Sequence, residues 1–404
     1  MKSFFNKHLT LILGFVGLFL VSTGVSMAAF TYLIKDPGSS SGTETKRSRI
    51  DLSKPKTEIC PINGAKFTKA ERDIWDTRRP TAVVIENHKD ARPQSGLSKA
   101  DIVYEAVAEG GITRFLGIFY CAGVAEEVKM APIRSARVYF VNLAAGYGSF
   151  PIFLHQGAAN RLCGDCPGGI KSTSQVAKEV DAYGLLDKLG WRNGQRGNDM
   201  DGGYNIGVPI VIRDQYRLSS EPAAWEHSVV ASLDAVYNEA KKRGFEFKDS
   251  DGVAWNEDFK VWQFSDDKPQ TPTASEISFR FWDNWADYDV IWSYDQGTNR
   301  YVRKNGGVVH VDQAFEKTPL VAKNVVILFA KEKGPVDSEH HMYYEVVGKG
   351  DALVFQNGQI IKATWEKDSA TSREVFFDEE GAEISFIRGP IWIEVVPVGN
   401  DINY

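Results

Sequence analysis

The residues best able to do chemistry lie between Glu86 and Arg137, in ENHKDARPQSGLSKADIVYEAVAEGGITRF and then APIRSAR. Strand-like pieces carry Glu86, Glu105, Glu109 and Arg114. Asn87, His88, Arg92, Arg134 and Arg137 fall at strand ends or in loops, where sites are usually built. Arg134 and Arg137 stand three apart with Pro132 before them and Ser135 between. In a turn or a first helical turn their two guanidinium forks could converge and, with backbone N–H groups, hold a phosphate or carboxylate bidentately. The same residues would also serve as an internal ion-pair network, Arg114, Arg134 and Arg137 against Glu86, Glu105 and Glu109. Gly110-Gly111 suits a tight hairpin or bulge between strands.

His155 follows Pro-Ile-Phe-Leu at the end of a predicted strand. It could act as a general base or a ligand, although a hydrogen-bonded structural histidine is the commoner case. His88 and His227 read the same way, and His340-His341 reads as a solvated pair in a charged loop. The sequence contains no GxSxG elbow, HExxH, Walker loop or GxGxxG turn, so the motif-bearing enzyme classes lose support and no cofactor is expected. Trp282 and Trp285 are the Trp residues of the C-terminal half that could form an exposed platform, against a commoner role for Trp in the core.

Four cysteines, Cys60, Cys121, Cys163 and Cys166, suggest disulfides in an oxidising compartment, and four cysteines allow three pairings. Cys163-Gly-Asp-Cys166 could be a redox pair or half a zinc site. Zinc needs two further ligands and no second CxxC or close HxxxH exists, so no metal is expected. Pro167-Gly168-Gly169 puts the pair in a loop, which favours a local disulfide.

These side chains sit in a chain of 404 residues, 43% hydrophobic and 25% charged, with 10 Trp and 23 Phe. Such a composition excludes a disordered polymer and supports two domains with proper cores. The net charge of −6 argues against nucleic acid as a partner. Leu9 to Ile34 holds no Asp, Glu, Lys, Arg or His and is long enough to cross a membrane. Lys2 and Lys7 before it leave the N-terminus inside and export the rest, while Lys46, Arg47 and Arg49 argue mildly the other way. Ser26-Met27-Ala28 offers a rival cleavage site, but apolar residues continue through Phe30, Tyr32, Leu33 and Ile34, which favours an uncleaved anchor. The stretch from Lys35 to Arg49 has the composition of a flexible tether.

The domains expected are therefore 1–34 as cytoplasmic tip and anchor, 35–60 as tether, 61–222 as N-terminal domain and 223–404 as C-terminal domain. Thr81 to Glu86, Ile102 to Ala108, Ile112 to Tyr120, Val138 to Ala144 and Ile152 to His155 read as strands, and Ser172 to Leu189 as a helix. A helix capped by Ser228 and stopped at Gly244 opens the second domain. Ten strand-like runs follow it, with hairpin dipeptides at Asn305-Gly306 and Asn357-Gly358. The fold class is α+β: an N-terminal α/β domain with a mixed sheet, then a mostly antiparallel β domain with one leading helix.

The segments ARPQSGL, ADIVYE, EGGITRF and PIRSAR, and later NGGVVHVD, NVVILF, GKGDALVFQNGQIIKATW and PIWIEVVP, closely resemble the YerB-like family of bacterial envelope lipoproteins. The resemblance covers roughly Arg79 to Val398. It implies a two-domain extracytoplasmic protein whose N-terminal domain has unknown function, with no established reaction. The chain departs from the family pattern in lacking a lipid-modified Cys after its apolar segment and in carrying CGDC after His155-Gln156-Gly157-Ala158. A looser similarity, Asp101 on its strand followed by Arg134 in P-x-R, is to LytR-CpsA-Psr phosphotransferases, and it suggests a lipid pyrophosphate as the ligand to test.

Two functions follow. The first is a membrane-anchored protein that binds an anionic envelope component or a protein partner, such as an envelope polymer, a lipid-linked precursor or a cell-wall enzyme. The alternative is a phosphotransferase or hydrolase of phosphate-linked glycans, with Arg134 and Arg137 as clamp, Glu105 or Glu109 as base, and Mg2+. A redox role for Cys163 and Cys166 is a third reading.

Overall fold

The computed structural model describes residues 48–159, 181–337 and 339–404. The segment Leu9 to Ile34, residues 35–47 of the expected tether, the start of the predicted helix Ser172 to Leu189, and both Cys163 and Cys166 lie outside these residues. Within them no helix is long and apolar enough to cross a membrane. Arg49, within the expected tether 35–60, pairs with Asp234 and donates its backbone N–H to Ala125.

The strands that position the polar residues are Thr81–Glu86 (β1), Ile102–Glu109 (β2), Ile112–Phe119 (β3), Ile152–His155 (β4) and Asp199–Asp201 (β5). The first four are β-branched or aromatic runs buried almost throughout, the pattern of strands covered on both faces. β2 and β3 form a hairpin through Gly110 and Gly111, both at positive φ. A Cβ at Gly111 would also lie 2.9 Å from the Trp285 ring, so the position excludes any larger residue.

From the C-terminal half come Glu276–Phe279 (β6), Val290–Asp295 (β7) and Arg300–Asn305 (β8), an antiparallel set. Asn324–Lys333 (β9), Gly348–Gln356 (β10), Gln359–Lys367 (β11), Val375–Asp378 (β12) and Ile391–Pro397 (β13) follow. Asn357-Gly358, both at positive φ, turn β10 into β11 as the dipeptide predicts. At the other predicted hairpin the turn residues are Gly306 and Gly307, one position later.

One sheet runs through both halves in the order β12-β11-β10-β9-β13-β2-β3-β1-β4-β5. The junction is the parallel pairing of β13 with β2, whose register sets Glu394 beside Glu105. β1, β2, β4 and β5 run in one direction, so Glu86, Glu109, His155 and Asp201 end their strands along the same edge.

Two element assignments differ from the sequence reading. Val138–Ala144 is a helix (α2), not a strand; all seven of its residues are buried, so the apolar pattern has no period to reveal it. Val229–Ser232 is a strand paired with Val211–Arg213, and the helix begins after it, Leu233–Lys242, capped by Ser232 rather than Ser228. Gly244 at positive φ follows that helix as expected. The remaining α-helices among the described residues, Lys69–Trp75 (α1) with a Thr68/Glu71 capping box and Ala182–Lys188 capped by Asp181, complete the α+β class.

Candidate functional site

Glu109, at the end of β2, receives Arg114 from β3 and Arg137 from the start of α2. Both guanidinium groups are nearly inaccessible and also donate to main-chain carbonyls, Arg114 to Ser135 and Arg137 to Ala136. Burial alone would raise the Glu109 carboxyl, but the two arginines outweigh it and hold it down at about 2. Burial and the neighbouring Arg114 lower Arg137 to about 10. These two arginines are thus spent on an internal ion pair, as the network reading expects.

Arg134 diverges from Arg137. Its backbone bonds to Val84 and Gln156 tie it across the ends of β1 and β4, and its Nε lies 3.0 Å from Glu86. Among the described residues its terminal nitrogens have a single long hydrogen bond, 3.4 Å to the Glu226 carbonyl. Glu86 also accepts from His227 Nδ1 at 2.9 Å, and the His227 ring stacks on His88 at 4.8 Å. His88, Asp90, Glu109, Arg134, Glu226 and His227 line a cleft of about 580 Å3. With the imidazoles neutral, the cleft and the residues behind it carry one more carboxylate (Glu86, Asp90, Glu109, Glu226) than guanidinium (Arg114, Arg134, Arg137).

Glu105, Asn87 and Arg92 belong to a different cluster, enclosed between the two halves. Arg303 from β8 reaches Glu105 and lies 3.6 Å from Glu394. Asn87 Nδ2 donates to Glu105 and to Asn305, while its Oδ1 accepts from Arg92 and Gln94. His310 Nδ1 faces Arg303, which can only donate, so this nitrogen accepts and Nε2 donates to Gln94 at 2.7 Å. Burial, then Arg303 and Arg92, push His310 well below its ordinary value, in keeping with that neutral tautomer. Burial and the adjacent Glu105 push Glu394 well above the carboxylate range.

His155 forms a third cluster. Both ring nitrogens face acceptors, Gly157 O and Asp199, each at 2.6 Å, so both carry protons. Burial opposes that charge, but Asp199 outweighs it and raises His155. Asp199 is also paired with Arg192, whose guanidinium lies between the rings of Tyr183 and Tyr204.

Two profile matches then place the chain: residues 67–200 match the N-terminal domain and residues 277–393 the C-terminal domain of the protein family of unknown function DUF3048. The putative lipoprotein YerB of Bacillus subtilis is 32% identical over 337 residues, 83% of this chain and 86% of that protein. The chain belongs to the YerB-like family. The crystal structure of YerB from Bacillus subtilis agrees with a TM-score of 0.64 at 27% identity, over 86% of this chain and 100% of that one.

In this YerB-like chain Asp101, which carries the looser similarity to the phosphotransferases, is fully buried and does not line the Arg134 cleft. It accepts N–H groups from Tyr120, Cys121 and Ala122 and from Asn63, beside a disulfide that joins Cys60 to Cys121. His341 is not solvated: it is largely covered and bonded to Asp337 at 2.6 Å. Trp282 donates to Glu332, and Trp285 covers Gly111. Asp199, Asp201, Arg192, Arg303 and Glu394 escaped the sequence reading. Only the Asp-x-Asp spacing at 199–201 could have signalled any of them.

Proposed function

We propose that this YerB-like chain is a membrane-anchored, extracytoplasmic binding protein of the cell envelope, which takes an anionic group of an envelope component in the cleft at Arg134. Support for the location comes from the charge-free run Leu9 to Ile34 and from the lipoprotein description of its Bacillus relative.

One observation carries the binding reading. Of the three arginines in the cluster, Arg114 and Arg137 are consumed by Glu109, whereas Arg134 lines the cleft, keeps a quarter of its side chain exposed and has only a 3.4 Å hydrogen bond on its terminal nitrogens among the described residues. A guanidinium fork with uncommitted donors suits phosphate or carboxylate. The transferase alternative gains nothing from the geometry. Glu105 is fully buried under Arg303, and both oxygens of Glu109 are taken by arginines, so neither is available as a base or as an Mg2+ ligand.

The test is a thermal-shift titration of the full chain with a short-chain prenyl pyrophosphate, beside Arg134→Ala. A ligand at a hundred times its dissociation constant adds about 2.7 kcal/mol, a clear rise in midpoint that the variant should lose. No shift, or an equal shift in the variant, would overturn the reading.

A further inference from the structure

The same cleft contains a second set of groups that the anion reading does not use. We propose that His88, Asp90 and His227 form a binding site for a divalent transition-metal ion, with Zn2+ the ion that suits them best. One donor atom from each lies within 4.8 Å of the other two. Two imidazoles and one carboxylate are the ligands of zinc and its neighbours rather than of Mg2+ or Ca2+, which prefer oxygen. Three protein ligands with a fourth position open is the arrangement of a reactive rather than a purely structural zinc centre.

The second observation is the support behind His227. Its Nδ1 is bonded to Glu86, a carboxylate that is almost inaccessible. A buried carboxylate on one ring nitrogen fixes the tautomer and turns the other nitrogen outward, as second-sphere carboxylates do at histidine metal sites. His227 itself lines the cleft. His88 accepts a 3.3 Å contact from the Asp90 N–H and stacks on the His227 ring, and Asp90 is two-thirds exposed, so neither is locked by a buried partner as His227 is. Tetrahedral zinc with bonds of about 2.0–2.1 Å to nitrogen needs donors about 3.3 Å apart. Reaching that spacing requires His88 and Asp90 to rotate, with His88 leaving its stack on His227. The ion would lie beside Arg134, and its charge would turn the cleft from net negative to net positive.

This inference needs the imidazoles, whereas the anion reading needs Arg134, and the two can therefore fail separately. The experiment uses the full chain after chelator treatment, titrated with Co2+ by visible absorption and with Zn2+ by calorimetry. We expect saturable binding that His88→Ala and Asp90→Ala each weaken at least tenfold, and a d–d spectrum of low coordination number. Glu86→Gln, which keeps the side chain's size, should weaken binding by about 10–100-fold with an unchanged circular dichroism spectrum. Cys163→Ser/Cys166→Ser should leave it unchanged. Absence of saturable binding, binding lost with the two cysteines, or binding indifferent to His88→Ala would each overturn the proposal. If zinc binding fails while the pyrophosphate shift survives, only the metal site falls; the opposite result removes only the anion reading.

Discussion

Replacing Glu109 by Ala strands two guanidinium groups that are 3% and 4% exposed, and breaking a buried pair in this way costs about 3–5 kcal/mol. Urea denaturation should show that loss, while Arg134→Ala should cost less because His227 still donates to Glu86. Equal losses in the two variants would contradict the division of the arginines into structural and binding groups. Acid–base behaviour gives a second check. Unfolded Glu394 releases its proton near the ordinary carboxylate value of about 4.3, whereas burial beside Glu105 makes the folded chain keep it to higher pH. The folded state then binds more protons, so this group's contribution falls as pH rises above about 4.3. Glu394→Gln reproduces the protonated form and should remove that decline from a stability–pH profile. His310 works from the other side: kept neutral in the fold, it costs stability as pH falls below about 6.5, where the unfolded imidazole takes up a proton. The Glu109 cluster was readable because its members lie close together in sequence, Glu109 and Arg114 in one hairpin and Arg137 within 28 residues of Glu109. Arg303 was not, because its partner Glu105 is 198 residues away and nothing local announces the register that unites them.

At the level of elements, the Cys60–Cys121 disulfide closes a loop of 61 residues that contains β1, β2 and β3. Loop closure of this size is worth about 2–5 kcal/mol. Cys60→Ser/Cys121→Ser should therefore lower the denaturation midpoint strongly, and peptide mapping of the non-reduced chain should recover the pair. A midpoint that does not move would contradict the bond. Spacing alone left three pairings open, since the choice depends on the ribbon of Lys56–Ile59 and Lys66–Thr68 bringing Cys60 to the loop after β3. Strands with one environment along their length were legible, β1 and β4 residue for residue. Helix α2 was not, because complete burial erases the 3.6-residue period that distinguishes a helix from a strand. Ser228 looked like a cap, but Val229–Ser232 finds hydrogen-bonding partners in Val211–Arg213 and delays the helix by four residues.

For the whole molecule, the two YerB-like halves share one sheet through β13 and β2, with Arg303 of one half laid on Glu105 of the other. Calorimetry should show a single cooperative transition over residues 48–404, and residues 48–222 produced alone should not fold, since β2 loses its neighbour and Glu105 its counter-ion. Two independent transitions would contradict this. The α+β class was legible from alternating short strands and capped helices, but the continuity of the sheet was not, because β2 and β13 are nearly three hundred residues apart and their pairing is parallel. The cleft follows from that architecture: strands β1 and β4 run the same way, and the Arg134 segment bridges their ends as the walls of a site. Hydrogen–deuterium exchange of the full chain, with and without a short-chain prenyl pyrophosphate, tests this most directly. The account predicts added protection confined to the segments around 86–92, 132–137 and 222–228. Protection elsewhere, or none, would contradict it.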